Sequence, residues 1–288
     1  MKIKKAIIPA AGRGTRFLPL TKSQPKEMLP IVDKPCIQYL VEEAVASGIE
    51  EIIIITARGK RSIEDYFDQS FELQYHLRKK GEKNLLKKIE KIEKMAKFYY
   101  VRQDYPKGDG HAILCAKELV KEEPFAVLFG DDIYDSSVPA LSQLINKYEE
   151  LKTPVIALEK IPKTETHKYG IVKTNKISDK THNIKGLIEK PSPSRAPSNL
   201  AITGKYIITP ELLQTLSKTK TGQGSELRLI NGMQNYIKGH SIHGLIIDGQ
   251  RFDTGDKLGY LKAVIHFSLK HKNLQKEVKK FLQSLDLN

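Results

Sequence analysis

Glu51-Ile52-Ile53-Ile54-Ile55-Thr56 constrains this chain more than any other stretch. Its β-branched residues are stiff at χ1 and favour a pleated strand. Six residues are also too few for a good helix. A run that is apolar at every position, not every second one, predicts a strand buried on both faces, as in parallel sheets. Ala6-Ile7-Ile8 reads the same way, and amphipathic stretches separate the short apolar runs. That alternation is the pattern of βαβ units.

Pro35 opens a predicted helix over Ile37 to Ser47, stopped by Gly48. Phe98 to Val101 and Phe125 to Phe129 predict two more strands, with Ala112 to Val120 helical between them. From about Pro154 the texture changes. Val155 to Leu158, Ile171 to Lys173, Ile184 to Glu189 and Ala201 to Ile208 follow one another with little helix, interrupted by a Pro/Ser-rich loop from Pro191 to Ser198. The last thirty residues return to helix, with apolar positions at Leu258, Leu261, Ile265 and Leu269. The expected fold class is therefore α/β: a Rossmann-like, mostly parallel mixed sheet flanked by helices, with a β-rich second half and C-terminal helices. The expected organisation is a single domain, 1–288, made of halves 1–150 and 151–255 and the helices of 256–288. No internal repeat stands out.

Charge narrows the function. Lys and Arg number 48 against 34 Asp and Glu, a net charge of +14. Such a balance favours anionic partners: nucleic acid, acidic membrane or phosphorylated small molecules. With 40% hydrophobic and 28% charged residues, a mostly disordered chain is excluded. Cys36 and Cys115 make neither a disulfide framework nor a CxxC metal pair. The basic N-terminus has too short an apolar stretch for a signal peptide, and no run approaches the roughly 18 apolar residues of a membrane span. The expectation is a cytoplasmic protein with no membrane partner.

The chemistry points to Pro9-Ala10-Ala11-Gly12-Arg13-Gly14-Thr15-Arg16, followed by Pro25-Lys26-Glu27-Met28-Leu29-Pro30. A loop after the first strand of an α/β sheet lies at the carboxyl edge, where such folds bind ligands. Gly12 and Gly14 let backbone N–H groups approach phosphate oxygens, and Arg16 and Lys26 can add fixed positive charge. Two common templates fail. A Rossmann fingerprint requires glycine where Phe17 stands, and no G-x4-G-K-[ST] occurs.

This segment resembles the signature of the sugar-1-phosphate nucleotidylyltransferases, and the resemblance runs along almost the whole chain. Gln103-Asp104-Tyr105-Pro106-Lys107-Gly108-Asp109-Gly110-His111-Ala112 resembles the family's pyrimidine-reading loop, and Gly130-Asp131-Asp132 its metal-binding strand end. Tyr169-Gly170-Ile171-Val172 and Ile188-Glu189-Lys190-Pro191 resemble the contacts to sugar and sugar phosphate. The segments from Ala196 to Gly204 and from Asp253 to Tyr260 are similar to the bacterial uridylyltransferase branch, which acts on UTP and glucose 1-phosphate.

The resemblance implies a nucleotide-binding half over 1–150 and a sugar-binding half over 151–255. It implies catalytic roles for Arg16, Lys26, Asp131 and Lys190, and Mg²⁺ held by Asp131 with Asp253 as second ligand. Substrate contacts would come from Ala10, Ala11, Gly12, Gly14, Thr15, Glu27, Gln103, Gly108, Asp132, Gly170, Glu189, Asn199 and Gly204. UTP and glucose 1-phosphate are the implied partners, and a homodimer or homotetramer the implied assembly. Thr254 does not separate uridylyl from thymidylyl enzymes, so dTTP or N-acetylglucosamine 1-phosphate stands as the alternative substrate. The chemistry is consistent. A phosphate monoester has its second pKa at about 6 and is largely dianionic at pH 7. Its oxygen is already a nucleophile, so the site must bring two anions into line and neutralise the leaving pyrophosphate.

Some residues depart from the family pattern. Gly224-Ser225-Glu226-Leu227-Arg228-Leu229-Ile230-Asn231 puts Ile230 and Asn231 where Thr-Asp is usual, and Arg13 stands at a position often filled by leucine. His240 and His243 lack a third ligand for a zinc site. His111, in the base loop, could touch the nucleotide or face solvent. Arg78 to Lys97 carries nine basic and three acidic residues, with Leu85, Ile89, Ile92 and Ala96 at helical spacing. With lysine rather than arginine predominating and no aromatic interleaving, it reads as a solvated lysine face, and no nucleic-acid partner is expected.

Overall fold

The computed structural model describes residues 2–221 and 226–286. Gly224 and Ser225, at the start of the divergent segment above, lie outside the described residues. In chain order the strands are β1 (Lys5–Pro9), β2 (Pro30–Ile31), β3 (Lys34–Pro35), β4 (Glu51–Thr56), β5 (Lys97–Arg102), β6 (Phe125–Leu128) and β7 (Asp132–Asp135). They continue with β8 (Val155–Lys160), β9 (Gly170–Lys176), β10 (Thr181–Glu189), β11 (Leu200–Ile208), β12 (His243–Ile246) and β13 (Gln250–Asp253). Nine of them form one sheet in the order β5-β4-β1-β6-β11-β8-β12-β10-β9, while β13 pairs with β7 and β2 with β3 as separate ribbons.

The four isoleucines of β4 show why this sheet has two covered faces. All are fully buried. Ile52 and Ile54 join one core cluster with Leu40 and Val41 of the helix Cys36–Ala46 and Leu141 and Leu144 of the helix Ala140–Leu151. Ile53 and Ile55 join the other, with Ile113, Leu212, Leu213 and Met233 from helices on the opposite face. Side chains alternate across a strand, and burying each contributes about 1.5–3 kcal/mol.

The sheet is more evenly mixed than expected. β5, β4, β1 and β6 run parallel, but β11 pairs antiparallel with both β6 and β8, and β10 antiparallel with β12 and β9. The second-half strands thus extend the first-half sheet through β11. The parallel part puts the carboxyl ends of β1, β5 and β6 on one edge.

Three sequence expectations need correction. The helix expected over Ala112 to Val120 is two pieces, Asp109–Leu114 and Lys117–Val120. The lysine-rich helix spans only Lys83–Glu93; Arg78 belongs to the preceding helix Phe71–Lys79, and Leu85 is exposed. The C-terminal helix Lys257–Lys270 turns the first half of its expected apolar stripe outward, while Ile265 and Leu269 are half-buried. Leu258 and Leu261 are 60% and 53% exposed, while Ala263 is buried and Tyr260, Val264 and Phe267 pack on the core. Among the described residues, no helix is long and apolar enough to cross a membrane.

Candidate active site

The loop after β1 is shaped by its two glycines in different ways. Gly14 has φ +64°, a left-handed conformation that glycine adopts without strain. A Cβ there would also press on Thr21 and Lys26 at 3.1–3.3 Å. At Gly12 a Cβ would meet nothing within 4 Å, so the missing side chain leaves open space. Ala10 ties the loop's start to β4 through its N–H to Ile55 O at 2.9 Å, and Phe17 anchors its end edge-on against Tyr260.

A cleft of about 910 Å³ opens beside this loop. Ala11, Gly12, Thr15, Lys26, Glu27, Gln103 and Gly108 line it, together with Arg13, Lys107 and Asp109. A second cleft of about 420 Å³ shares Ala11, Gly12, Arg13 and Gln103 and adds Arg58 and Lys60. The larger space is of the size that takes small-molecule ligands. Its walls bring the predicted phosphate loop and the predicted base loop face to face.

The acidic centre lies at the end of β6. Asp131 is ion-paired to Lys26 Nζ, and Arg16 donates to Gly255 O at 3.1 Å. Burial alone would push the Asp131 carboxyl up, but Lys26 and Arg16 hold it below the usual carboxylate range. Burial would likewise pull the Lys26 ammonium down; Asp131 and Glu27 outweigh it and raise it. Asp253 arrives from β13, held by Tyr169 Oη at 3.2 Å and Gly255 N at 3.0 Å. Its carboxyl is pushed up by burial despite Arg251. A Cβ on Gly255 would stand 2.5 Å from Asp131 Oδ2 and 3.0 Å from Asp253 Oδ1, so the two carboxylates converge on this glycine.

Three predicted contact residues are instead engaged within the protein. Asp132 is 3% exposed, accepting from Gly204 N and, at 2.5 Å, from Arg251 Nε. Gly204 is close-packed, since a Cβ would lie 2.8 Å from Asp132 and 2.9 Å from Phe129. Glu27 is also turned inward, its carboxylate paired with Lys60 Nζ at 2.8 Å.

The sugar-side residues gather at one end of β9, β10 and β11. Gly170 sits opposite Glu189 across the β9–β10 pair. Both line a small pocket of about 70 Å³ with Asp109, Arg228 and Ile230. Arg228 Nη1 donates to Glu189 Oε1 at 3.0 Å. Lys190 has φ +45°, uncommon for a residue with a side chain. Its N–H is held by Tyr169 O at 3.0 Å, and its ammonium lies 3.8 Å from Glu189. Asn199 is exposed just before β11 and lines neither cleft nor this pocket.

Sequence reasoning missed three residues that hold this arrangement. Arg251, 8% exposed by side chain, ties Asp132 to Glu159 at 3.0 Å and approaches Asp253 at 3.7 Å. Its adjacency to the Asp253 motif was the available signal. Lys60 shows none in sequence. Arg228 stood within the divergent segment but carried no role there.

The nucleotidyl transferase family model matches residues 5–268. The chain is 45% identical over 284 residues to the UTP–glucose-1-phosphate uridylyltransferase of Bacillus subtilis (strain 168), covering 99% of this chain and 97% of that one. It is 46% identical over 286 residues to the enzyme of that name from Staphylococcus epidermidis, covering 99% of each. Among solved structures, a UTP-bound UGPase from Acinetobacter baumannii matches with TM-score 0.92 and 41% identity, over 99% of this chain and 100% of that one. A UDP-glucose pyrophosphorylase complexed with UDP-glucose matches with TM-score 0.86 and 42% identity, over 93% of this chain and 100% of that one.

Proposed function

We infer that this chain, which belongs to the nucleotidyl transferase family, transfers the uridylyl group of UTP to α-D-glucose 1-phosphate, giving UDP-glucose and pyrophosphate. The relatives favour this pair over dTTP or N-acetylglucosamine 1-phosphate. The observation that carries the mechanism is the convergence of Asp131, Asp253 and Arg16 beside Lys26, which lines a cleft together with the base loop.

In the reaction, an oxygen of the sugar phosphate bonds to the α-phosphorus of UTP. The bond to the bridging oxygen breaks, and pyrophosphate leaves with that electron pair. The nucleophile is already anionic near neutral pH, so no side chain has to remove a proton. Lys26, kept protonated beside Asp131, and Arg16 neutralise the triphosphate and the leaving group. The open space at Gly12 leaves loop N–H groups free for phosphate oxygens. Gln103 and Gly108 read the base, Glu189 receives sugar hydroxyls, and Lys190 meets the sugar phosphate.

Asp131 and Asp253 fit a divalent metal, since two carboxylates converge across a glycine with room for no side chain between them. Bound there, Mg²⁺ would supply charge neutralisation for the phosphates. The exposed Leu258 and Leu261 favour a homo-oligomer; a monomer by light scattering would refute that part. For the activity itself, ³¹P NMR of UTP, glucose 1-phosphate and MgCl₂ with the enzyme should show UDP-glucose and pyrophosphate appearing together. Asp131→Asn should abolish most of this while the circular dichroism stays unchanged. Near-normal turnover in that variant would defeat the metal assignment.

A further inference from the structure

A glutamine that reads a base presents either an acceptor or a donor, depending on which way its amide is turned. In this chain that choice is made inside the protein. Gln103 is 5% exposed, and its backbone N–H donates to Thr56 O at 2.8 Å, which fixes where the side chain begins. The side-chain group 3.1 Å from the Gly108 carbonyl must be the NH₂, because a carbonyl only accepts. That carbonyl is itself placed by the Ala112 N–H at 3.1 Å. The second N–H of the amide meets His111 Nδ1 at 3.0 Å, so that nitrogen carries the lone pair. Cys115 Sγ, a weak donor, lies 3.8 Å from the same nitrogen and suits the same tautomer. Both amide hydrogens are thereby engaged, and Oε1 is left for the cleft that Gln103 lines.

We propose that His111 is a positioning residue for nucleotide selection, holding the Gln103 amide with Oε1 toward the base. An acceptor there matches N3–H, the donor that uracil has and cytosine lacks. Turning the amide over would set Oε1 against the Gly108 carbonyl and the His111 lone pair, and would present a donor suited to cytosine N3. His111 lines neither cleft and acts only through Gln103. Its own place is fixed on the helix Asp109–Leu114 by its N–H to Leu227 O at 3.3 Å. The proposal rests on the uridylyl reading above.

The test is kcat/KM for UTP and for CTP, each with glucose 1-phosphate, in wild type, His111→Ala, His111→Leu and His111→Asn. Alanine and leucine remove one of the two acceptors, so the UTP-over-CTP ratio should fall about five- to tenfold. That change should come from KM, with kcat for UTP held within about twofold of wild type. Asparagine places Oδ1 near the position of Nδ1 and should restore the ratio. Leucine keeps bulk at the site, so a packing effect alone would separate it from alanine. An unchanged ratio in folded alanine and leucine variants, or equal loss in asparagine, would overturn the proposal. A wild type with no preference for UTP would instead overturn the uridylyl reading.

Discussion

Gly255→Ala adds one methyl group at the point where the two proposed metal ligands meet. On the present backbone that carbon stands 2.5 Å from Asp131 Oδ2 and 3.0 Å from Asp253 Oδ1. Favourable contact begins at about 3.5 Å, so about 1 Å of movement is required. Neither neighbour is a loose end. Asp131 is ion-paired to Lys26, and Asp253 is held by Tyr169 Oη and the Gly255 N–H. Thr254 N–H also clamps this segment to Asp131 O at 2.8 Å. Overpacking of this kind costs about 1–3 kcal/mol of stability, while a displacement of about 1 Å at a reacting centre costs on the order of 10²-fold in rate. The expected phenotype is therefore a folded protein with kcat about 100-fold lower and a weaker response to magnesium. Steady-state pyrophosphate release across a MgCl₂ titration reads both. Retention of kcat within about threefold, less than 1 kcal/mol of barrier, with unchanged magnesium dependence would refute the convergence argument.

Three further outcomes follow from the same geometry. Lys60→Met leaves Glu27, whose side chain is fully buried, without its cation, and should cost about 3–5 kcal/mol in denaturant unfolding; a change below about 1 kcal/mol would show the pair to be unimportant. Because the Asp253 pKa is raised by burial, its ionised form burdens the native state at neutral pH, and the burden lifts as pH falls and the native carboxyl protonates first. Asp253→Asn should thus raise the melting temperature of the metal-free protein at pH 7, with the gain shrinking in mild acid, while weakening magnesium binding. A lower melting temperature at pH 7 would reverse that sign. Lys190→Ala should raise KM for glucose 1-phosphate about tenfold, the scale of one charge-assisted hydrogen bond, with KM for UTP little changed; equal effects on both substrates would place the lysine elsewhere.

The parts of this fold that were legible in sequence are those where local chemistry leaves one choice. Glu51–Thr56 is a strand over the residues expected, because four adjacent isoleucines suit little else. The loop after β1 was placed at the carboxyl edge of a parallel sheet, and the loops after β5 and β6 were found by their motifs; the parallel strands bring all three to that one edge. What failed depended on distant partners. Periodicity marked Leu258, Leu261, Ile265 and Leu269 as a face, but could not say that the core would take Ala263 and Phe267 from another side of the helix. The ribbon of β7 and β13 escaped notice because Asp-Ile-Tyr-Asp and Gln-Arg-Phe-Asp are short and polar, and pair across more than a hundred residues.

The site divides along the same line. Lys26, Gln103 and Gly108 came from motifs whose residues line the cleft, and Asp131 from one that reaches it through Lys26. Arg251 acts from behind it and Lys60 from the wall of the adjoining cleft, and a buried cation cannot be told from a surface one until its carboxylates are placed around it. The same blindness applied to Asp132. In sequence it was assigned a substrate contact beside the catalytic Asp131, but folding turns one carboxylate toward Lys26 and the other into the bonds from Arg251 and Gly204. His111 gave no decision in sequence between touching ligand and facing solvent; the structure gives it Gln103.

Whether this cleft joins UTP to glucose 1-phosphate is read from a panel of kcat/KM values. UTP, dTTP and CTP would each be paired with glucose 1-phosphate and N-acetylglucosamine 1-phosphate at saturating MgCl₂, with pyrophosphate release as readout. UTP with glucose 1-phosphate should give the highest value. No turnover with any pair, or a higher value for dTTP or for N-acetylglucosamine 1-phosphate, would contradict it.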